Sequence, residues 1–529
     1  MVGVAGRSKG CNTCRKRRVK CDEAKPQCGR CIKAGFECLG YQRVTQWRHT
    51  SLAPVATSRL HMSEFVDIVQ PVPVSFVPPP ELSLGAFERD MCTAHMFGNF
   101  VWRSYGSLWL NHACEGKLGN LSLDAVTALS QLSFGLNNKV QELQFKGAAQ
   151  YGRCLRILAE ELRRDNATAY DNRRLVVPIL VLMMVSAIQT DRTGAAFHLK
   201  AIEKVLILCG PRAFQQQPLR NAFEAARATL LIASLFSRRR IFLEDPRWQD
   251  VPYALDPCAK PQQSRLLDIL VAIPGLLEEN ARIDSMGYHP EDDPAASPPA
   301  SDKRLICREN LCEYMVLLLG KLFRWRWDWQ REYGQYVSTD GYERQSNNSP
   351  TDSEFTDTPE ELGRLRFDRS MHANDIMLYN SALMWLMTLL WKLNPLQTKS
   401  IIQECARHAA TSSAFTPQSS TLSHVSFEPL SEPGSAFSIR DPALEICRVF
   451  DWQCRHHGQC GALDDQACLY LFPVGMARSV LGAEPHYQQW IDDMLDSTPI
   501  TAGYGRHGGS IVGFSSYITR YALNPDIRG

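Results

Sequence analysis

The sequence predicts a mainly α-helical protein in three parts: a small cysteine-rich N-terminal module, a proline-rich linker and a large all-helical body. Three observations predict this. Two copies of one cysteine pattern lie within residues 11–38. Prolines crowd positions 54, 71, 73 and 78–80. Beyond about residue 87, apolar residues recur at steps of three and four, with no long alternating run to suggest strands. With 529 residues the chain is also longer than one core usually serves.

The N-terminal module rests on "CNTCRKRRVKC" and "CGRCIKAGFEC". Each reads Cys-x2-Cys-x6-Cys, and the second copy follows the first by 17 residues. Structural zinc takes four ligands in a tetrahedron, and thiolate is a favoured one. One copy supplies three sulfurs, one short of a closed site. Two copies supply six, whereas two separate sites would take about eight. The count closes if two equivalent sulfurs bridge the ions, and Cys11 and Cys28 are such a pair. The predicted ligands are Cys11, Cys14, Cys21, Cys28, Cys31 and Cys38, around two Zn2+ ions. A metal-free thiol cluster is the competing reading.

Charge separates the two copies. Lys and Arg total 12 and Asp and Glu 3 among the first 50 residues, a local +9 on a chain whose net charge is +2. The first gap holds Arg15, Lys16, Arg17, Arg18 and Lys20, and the second holds Lys33 against Glu37, with Ile32 and Phe36 available for packing. A basic head on a mildly acidic body suggests that the head meets a polyanion. A nuclear-import signal is a second, compatible use of "RKRRVK".

Residues 11–38 resemble the fungal zinc binuclear cluster (Zn2Cys6) of transcription factors at all six cysteines, with "KCD", "KPQC" and the turn residue Pro26 also similar. The resemblance implies bridging by the first and fourth cysteines, double-stranded DNA bound in the major groove, a CGG-like site, and a nuclear location. Family base-contacting residues align with Arg17 and Arg18, and Arg18 is the expected reader. Arg15, Lys16 and Lys20 are expected on phosphates.

The linker, residues 43–84, has the composition of an extended, flexible segment. Many family members place a coiled coil here. No sustained heptad is present, and the prolines would break one. Pairing as a homodimer through the body, reading of a single triplet, and a heterologous partner all stay open.

The body, residues 85–525, is read helix by helix. "SLDAVTALSQLSFGL" carries a stripe at Leu123, Val126, Leu129 and Leu132, with Ser122 the expected cap. "YGRCLRILAEELRRD" follows with Leu155, Leu158 and Leu162 on one side. Leu311, Met315, Leu318, Leu322, Trp325 and Trp329 form a stripe favouring a packed face over a nucleic-acid stacking platform for "RWRWDW". "AAFHLKAIEKVLILCGPRAF", "RRRIFLEDPRWQDVPY" and "YLFPVGMARSVL" resemble the fungus-specific regulatory domain that accompanies binuclear clusters, which implies a body used for regulation and in some members small-molecule sensing, with contacts to co-regulators or the transcription machinery. Polar, Ser- and Pro-rich loops are expected near 287–303, 338–362 and 411–438. The second, with Phe355 among acidic residues, is a candidate activating segment and otherwise a solvated loop.

Other classes find little support. "MVGVAGRSKG" lacks the apolar run of a secretory leader. The apolar runs Val176–Ile188 and Ala382–Trp391 fall short of the ~20 residues that span a bilayer, so no membrane is expected. "CRHHGQC" (Cys454, His456, His457, Cys460) is a poor second metal site. Gly503, Gly505 and Gly508 form a GxGxxG string with too little chain after it for a dinucleotide fold. No Walker A, HExxH or GxSxG string occurs, so an enzyme is not expected. The resulting expectation is a pathway- or biosynthetic-cluster-specific activator of RNA polymerase II transcription. A partner-binding adaptor or repressor is the alternative, and an enzyme with a zinc appendage is a weaker one.

Overall fold

The computed structural model describes residues 10–41, 87–97, 106–163, 172–189, 191–286, 299–339, 363–413, 426–456, 467–482 and 484–496. The chain divides into two compact units, Met1–Glu81 and Leu82–Gly529. The expected linker, the Phe355 segment, the GxGxxG string, His457 and Cys460 lie outside the described residues.

Unit one holds two five-residue helices, α1 (Asn12–Lys16) and α2 (Gly29–Lys33). Unit two begins with α3 (Glu88–Met96), α4 (Gly106–Cys114), α5 (Asn120–Asn137), α6 (Gln141–Leu162), α7 (Val176–Ile188), α8 (Arg192–Cys209) and α9 (Leu219–Ser237). It continues with α10 (Pro246–Asp250), α11 (Gln262–Leu270), α12 (Ile273–Ser285), α13 (Pro299–Tyr333) and α14 (Ser370–Leu393). The last described helices are α15 (Thr398–Ser413), α16 (Arg440–Arg455), α17 (Ala467–Leu481) and α18 (Pro485–Asp496). α5 packs on α6 and α7, α13 on α14 and α15, and α14 on α16 and α17.

Local chemistry explains several boundaries. Asp191 caps α8 by accepting from the Gly194 N–H at 3.0 Å. Gly210, at φ 69°, and then Pro211 end the same helix. The expected cap of α5 is corrected: the helix starts at Asn120 behind Gly119 (φ 89°), and Ser122 sits inside it, donating to the Leu118 carbonyl at 2.9 Å. A turn built on a left-handed glycine displaced the serine signal.

The body is helical as expected, with one short pair of strands added among the described residues. Strands β1 (Val337–Thr339) and β2 (Leu365–Phe367) pair antiparallel, with Val337 opposite Phe367 and Thr339 opposite Leu365. Three-residue strands are too short for a period-two pattern to show. They also trim the expected loops. Ser338 and Thr339 belong to β1, Pro299 to Lys303 to α13, and Thr411 to Ser413 to α15. Phe427 and Leu430, assigned to the third loop, are buried.

α14 lies at the centre. It is longer than the apolar run read from the sequence, and by length and composition it could cross a bilayer, yet 83% of its most apolar window is buried inside the body. Its polar groups tie it to its neighbours. Trp329 Nε1 donates to Asp375 Oδ2 at 3.0 Å, Asn380 donates to Glu445 at 2.8 Å, and Gln453 donates to Asn374 at 2.6 Å. All six stripe residues of α13 are buried. Within "RWRWDW", Trp325, Arg326 and Trp329 are core while Arg324 and Asp328 are exposed: Arg326, fully buried, faces the rings of Trp329 and Phe427 at 5.1 and 5.0 Å.

Burial raises the carboxyl of Asp375 to about 7. A carboxyl raised by folding binds its proton more tightly in the native state. Stability is therefore full below the unfolded value of about 4 and falls as pH rises through about 7, at ~1.4 kcal/mol per pH unit. Asp375→Asn should abolish that loss. The variant's thermal midpoint should gain on the parent between pH 4 and pH 7, and the gain should level off above; a gain independent of pH counts against the assignment.

Candidate metal centre and nucleic-acid interface

The cysteine module is built twice from the same local bonds. In the first half the Cys14 N–H donates to Cys11 Sγ at 3.3 Å and the Cys11 N–H to Cys21 Sγ at 3.4 Å. In the second the Cys31 N–H donates to Cys28 Sγ at 3.3 Å and the Cys28 N–H to Cys38 Sγ at 3.4 Å. Cys11 and Cys28 cap α1 and α2, so each short helix is fastened by the sulfur that precedes it.

The halves meet sulfur to sulfur. Cys11 Sγ lies 3.6 Å from Cys28 Sγ and 3.8 Å from Cys31 Sγ, and Cys14 Sγ lies 3.6 Å from Cys28 Sγ. The sulfurs form two groups of four, Cys11, Cys14, Cys21 and Cys28, and Cys11, Cys28, Cys31 and Cys38. The groups share Cys11 and Cys28. A tetrahedral ion about 2.3 Å from each sulfur requires sulfurs about 3.8 Å apart, so the cage has the size and donor set for zinc.

Electrostatics supports a cation here. Burial pushes the Cys11, Cys14 and Cys28 thiols up. Backbone N–H groups hold Cys21 down at about 6 and lower Cys38 as well. Six sulfurs this close resist joint ionisation without a positive charge among them.

Residues beyond the cysteines lock the frame. Thr13 Oγ1 donates to the Glu37 carbonyl at 2.9 Å and accepts from the Leu39 N–H at 3.0 Å, and the Asn12 N–H donates to the Gly40 carbonyl at 2.9 Å. Asp22, of the "KCD" string, accepts from the Arg30 N–H at 3.1 Å, and Arg30 Nη1 donates to the Lys20 carbonyl at 3.0 Å. Tyr41 donates to the Ala24 carbonyl at 2.8 Å. Sequence reading missed Thr13 and Tyr41, whose side chains carry no spacing signal.

Arg15, Lys16, Arg17, Arg18 and Lys20 are all exposed, as a cluster. The basic run is only partly helical: α1 ends at Lys16, Arg17 is its C-cap, and Arg18 lies past it at φ 56°. The turn closes with the Val19 N–H on the Cys14 carbonyl at 3.0 Å. Seventeen residues later, Gly35 adopts φ 67° at the equivalent corner of the second half, where the Phe36 N–H reaches the Cys31 carbonyl at 3.0 Å. Ile32 and Phe36 do not pack inside as expected, being 61% and 51% exposed. Phe36 instead carries the Arg17 guanidinium 3.8 Å above its ring.

A twofold-repeated thiolate cage with one basic corner defines the class: a small zinc-cluster module. Residues 9–48 match the model of the fungal Zn(2)-Cys(6) binuclear cluster domain, and the N-terminal module is of that family. Relatives include the aspercryptin biosynthesis cluster-specific transcription regulator atnN of Emericella nidulans, 44% identical over 13% of this chain and 12% of the relative. White-opaque regulator 2 of Candida albicans is 57% identical over 7% of this chain and 8% of its own. The transcriptional regulatory protein moc3 of Schizosaccharomyces pombe is 62% identical over 6% of each chain. The matches thus span about an eighth or less of each relative. These relatives are named as regulators, not enzymes. No solved structure matches the chain.

Thr13→Val should remove both side-chain bonds to residues 37–39 and cost ~1–2 kcal/mol locally. Hydrogen exchange should show the Leu39 amide, protected in the parent, exchanging faster in the variant; equal protection would remove Thr13 from the frame.

Proposed function

We propose that this protein is a nuclear, sequence-specific DNA-binding transcription regulator. In this reading its N-terminal module holds two zinc ions through Cys11, Cys14, Cys21, Cys28, Cys31 and Cys38, with Cys11 and Cys28 bridging. Bound zinc supplies the cross-link between the two halves. Arg18, with Arg17 beside it, reads a CGG-like site in the major groove of double-stranded DNA, and Arg15, Lys16 and Lys20 hold phosphates.

The observation that carries this reading is the corner at residue 18. A left-handed backbone costs an L-residue about 1 kcal/mol and suits glycine. The repeat places Gly35 in that conformation in one half and Arg18 in the other. An arginine standing where its structural equivalent is glycine, in the midst of a basic run, supports a role for its side chain. Its neighbours raise the local positive charge, and no acidic residue lies between Cys11 and Cys21.

Phe36 gives Arg17 a planar rest, which favours Arg18 as the principal reader. The atnN relative is named as a biosynthesis cluster-specific regulator, which supports a cluster-specific role. We assign the helical body to regulation, with partners among co-regulators or the transcription machinery and pairing as a homodimer through its surface. Activation is the sign we favour.

Arg18→Ala should cost ~1–3 kcal/mol of DNA affinity and relax base preference, whereas Lys20→Ala should weaken all sequences alike. Arg18→Gly separates contact from conformation: it should lose affinity as the alanine variant does, yet raise the module's stability by about 1 kcal/mol. Affinity of the parent should fall with salt at a log–log slope of about −0.9 per phosphate held. Unchanged base preference in both Arg18 variants would overturn the assignment of the reader, and a flat salt dependence would favour a protein-binding adaptor.

Metal analysis of the purified chain should return about two zinc ions per molecule. Cys11→Ala, at a bridging position, should lower that content further than Cys38→Ala; equal losses would argue against bridging.

A further inference from the structure

In the body a cleft of about 1160 Å3 opens between α11, α13 and the 249–260 segment. Tyr253 and Trp325 form part of its wall, and Lys260, Arg265, Lys321 and Arg324 line it. Trp325 is fixed by its Nε1 donating to the Gln262 carbonyl at 2.8 Å and by stacking on Tyr379, with ring centroids 5.9 Å apart. Lys321 and Arg324 stand three residues apart on α13 and so on one face of that helix.

The partners of the lining charges decide what the cleft attracts. Asp268, at its floor, is held by both Arg227 and Lys260. Arg227 is fully buried; burial works against its charge, but Asp268 and Glu224 more than compensate. Tyr253 completes the cluster, donating to Glu224 at 3.1 Å, with Ser264 Oγ 3.2 Å away. Lys260 is anchored further by the Gln249 carbonyl at 2.8 Å. The floor carboxylate is thus neutralised and offers an incoming anion little repulsion.

At the rim, Asp328 is held by Arg331, and Glu332 accepts from Gln262 at 2.8 Å. Asp250 takes no cation among the described residues. Arg265 and Arg324 spend one N–H each on the backbone carbonyls of Lys260 and Gly320, both at 3.3 Å, and neither faces a carboxylate among the described residues. Lys321 likewise has no carboxylate partner there. On the α13 side Lys321 and Arg324 outnumber Glu332, whose partner Gln262 is neutral, so the balance of uncommitted charge is positive, and it stands beside aromatic and aliphatic wall groups that include Val251 and Ile269.

We propose that this cleft is a binding site for a small organic anion, a carboxylate or phosphate monoester joined to a flat apolar body. Lys321, Arg324 and Arg265 hold the charged group, and the Tyr253–Trp325 wall holds the apolar part. The volume suits a metabolite-sized ligand, and Lys321, Arg324 and Arg265 are exposed, so their attraction for an anion is one that salt weakens.

The test uses the full zinc-loaded chain at low ionic strength, with the fluorescent aromatic anion anilinonaphthalene sulfonate as probe. The expected result is saturable binding that naphthoate and naphthyl phosphate displace and the neutral naphthylmethanol does not. Whichever of the two anions displaces better identifies carboxylate or phosphate as the preferred group. The double variant Lys321→Glu, Arg324→Glu should weaken binding about tenfold or more, and Lys204→Glu, at an exposed position of α8, should not. If circular dichroism shows that the double variant misfolds, Lys321→Ala with Arg324→Ala takes its place. Equal probe affinity in the folded variant and the parent would overturn the proposal. So would displacement by the alcohol as readily as by naphthoate, or displacement by poly-glutamate with no effect of naphthoate, which would mark an acidic-polypeptide surface. DNA binding by the N-terminal module is not read in this assay, so either result leaves the DNA-reading proposal untouched.

Discussion

Six cysteine sulfurs drawn into one small volume are the constraint on which the N-terminal module depends. Burial holds the Cys11, Cys14 and Cys28 thiols toward their protonated form, while backbone N–H groups favour thiolate at Cys21 and Cys38. The cage is therefore electrostatically incomplete as a set of side chains alone, and a divalent cation resolves the conflict by favouring thiolate throughout. A module of about thirty residues buries too little apolar surface to fold on a core of its own. Its inner residues are the cysteines themselves, joined by Thr13. With zinc bound, metal–sulfur bonds would take the place of a hydrophobic core, leaving nearly every other side chain to face outward.

That freedom is used asymmetrically. The two halves share helix caps, sulfur bonds and left-handed corners, at Arg18 and Gly35 and again at Glu23 and Gly40. A repeat built for metal alone would favour glycine at all four corners. The repeat departs from itself at Arg18 and Glu23, at the basic run in the first gap, and at an aromatic ring at 36 that supports a guanidinium from the other half; the proposed DNA-reading role rests on the basic departures.

The body follows the opposite logic. α14 is apolar enough for a membrane, yet it is enclosed by α13, α16 and α17, and its buried Asn374, Asp375 and Asn380 are each bonded to a neighbouring helix. Such polar ties fix the register of packed helices at a cost in stability, since each group gives up water for one partner. The same economy appears below the cleft, where Arg227, Lys260, Asp268 and Glu224 neutralise one another and couple α9, α11 and the 249–260 segment.

The sequence by itself determined the cysteine array, the basic cluster and the helical character of the body, because each is written in local spacing. Sulfur positions are set by short loops, and the stripe from Leu311 to Trp329 by the helical period. Tertiary structure alone decided where α1 ends, that Phe36 lies under Arg17, and that Leu365–Phe367 pairs with Val337–Thr339. It also decided which charges at the cleft neutralise one another. These facts join residues distant in sequence, such as Arg227 with Asp268. Periodicity reports which face of an element is apolar; it does not report what that face meets, and contact across the fold is what turns a residue type into a partner.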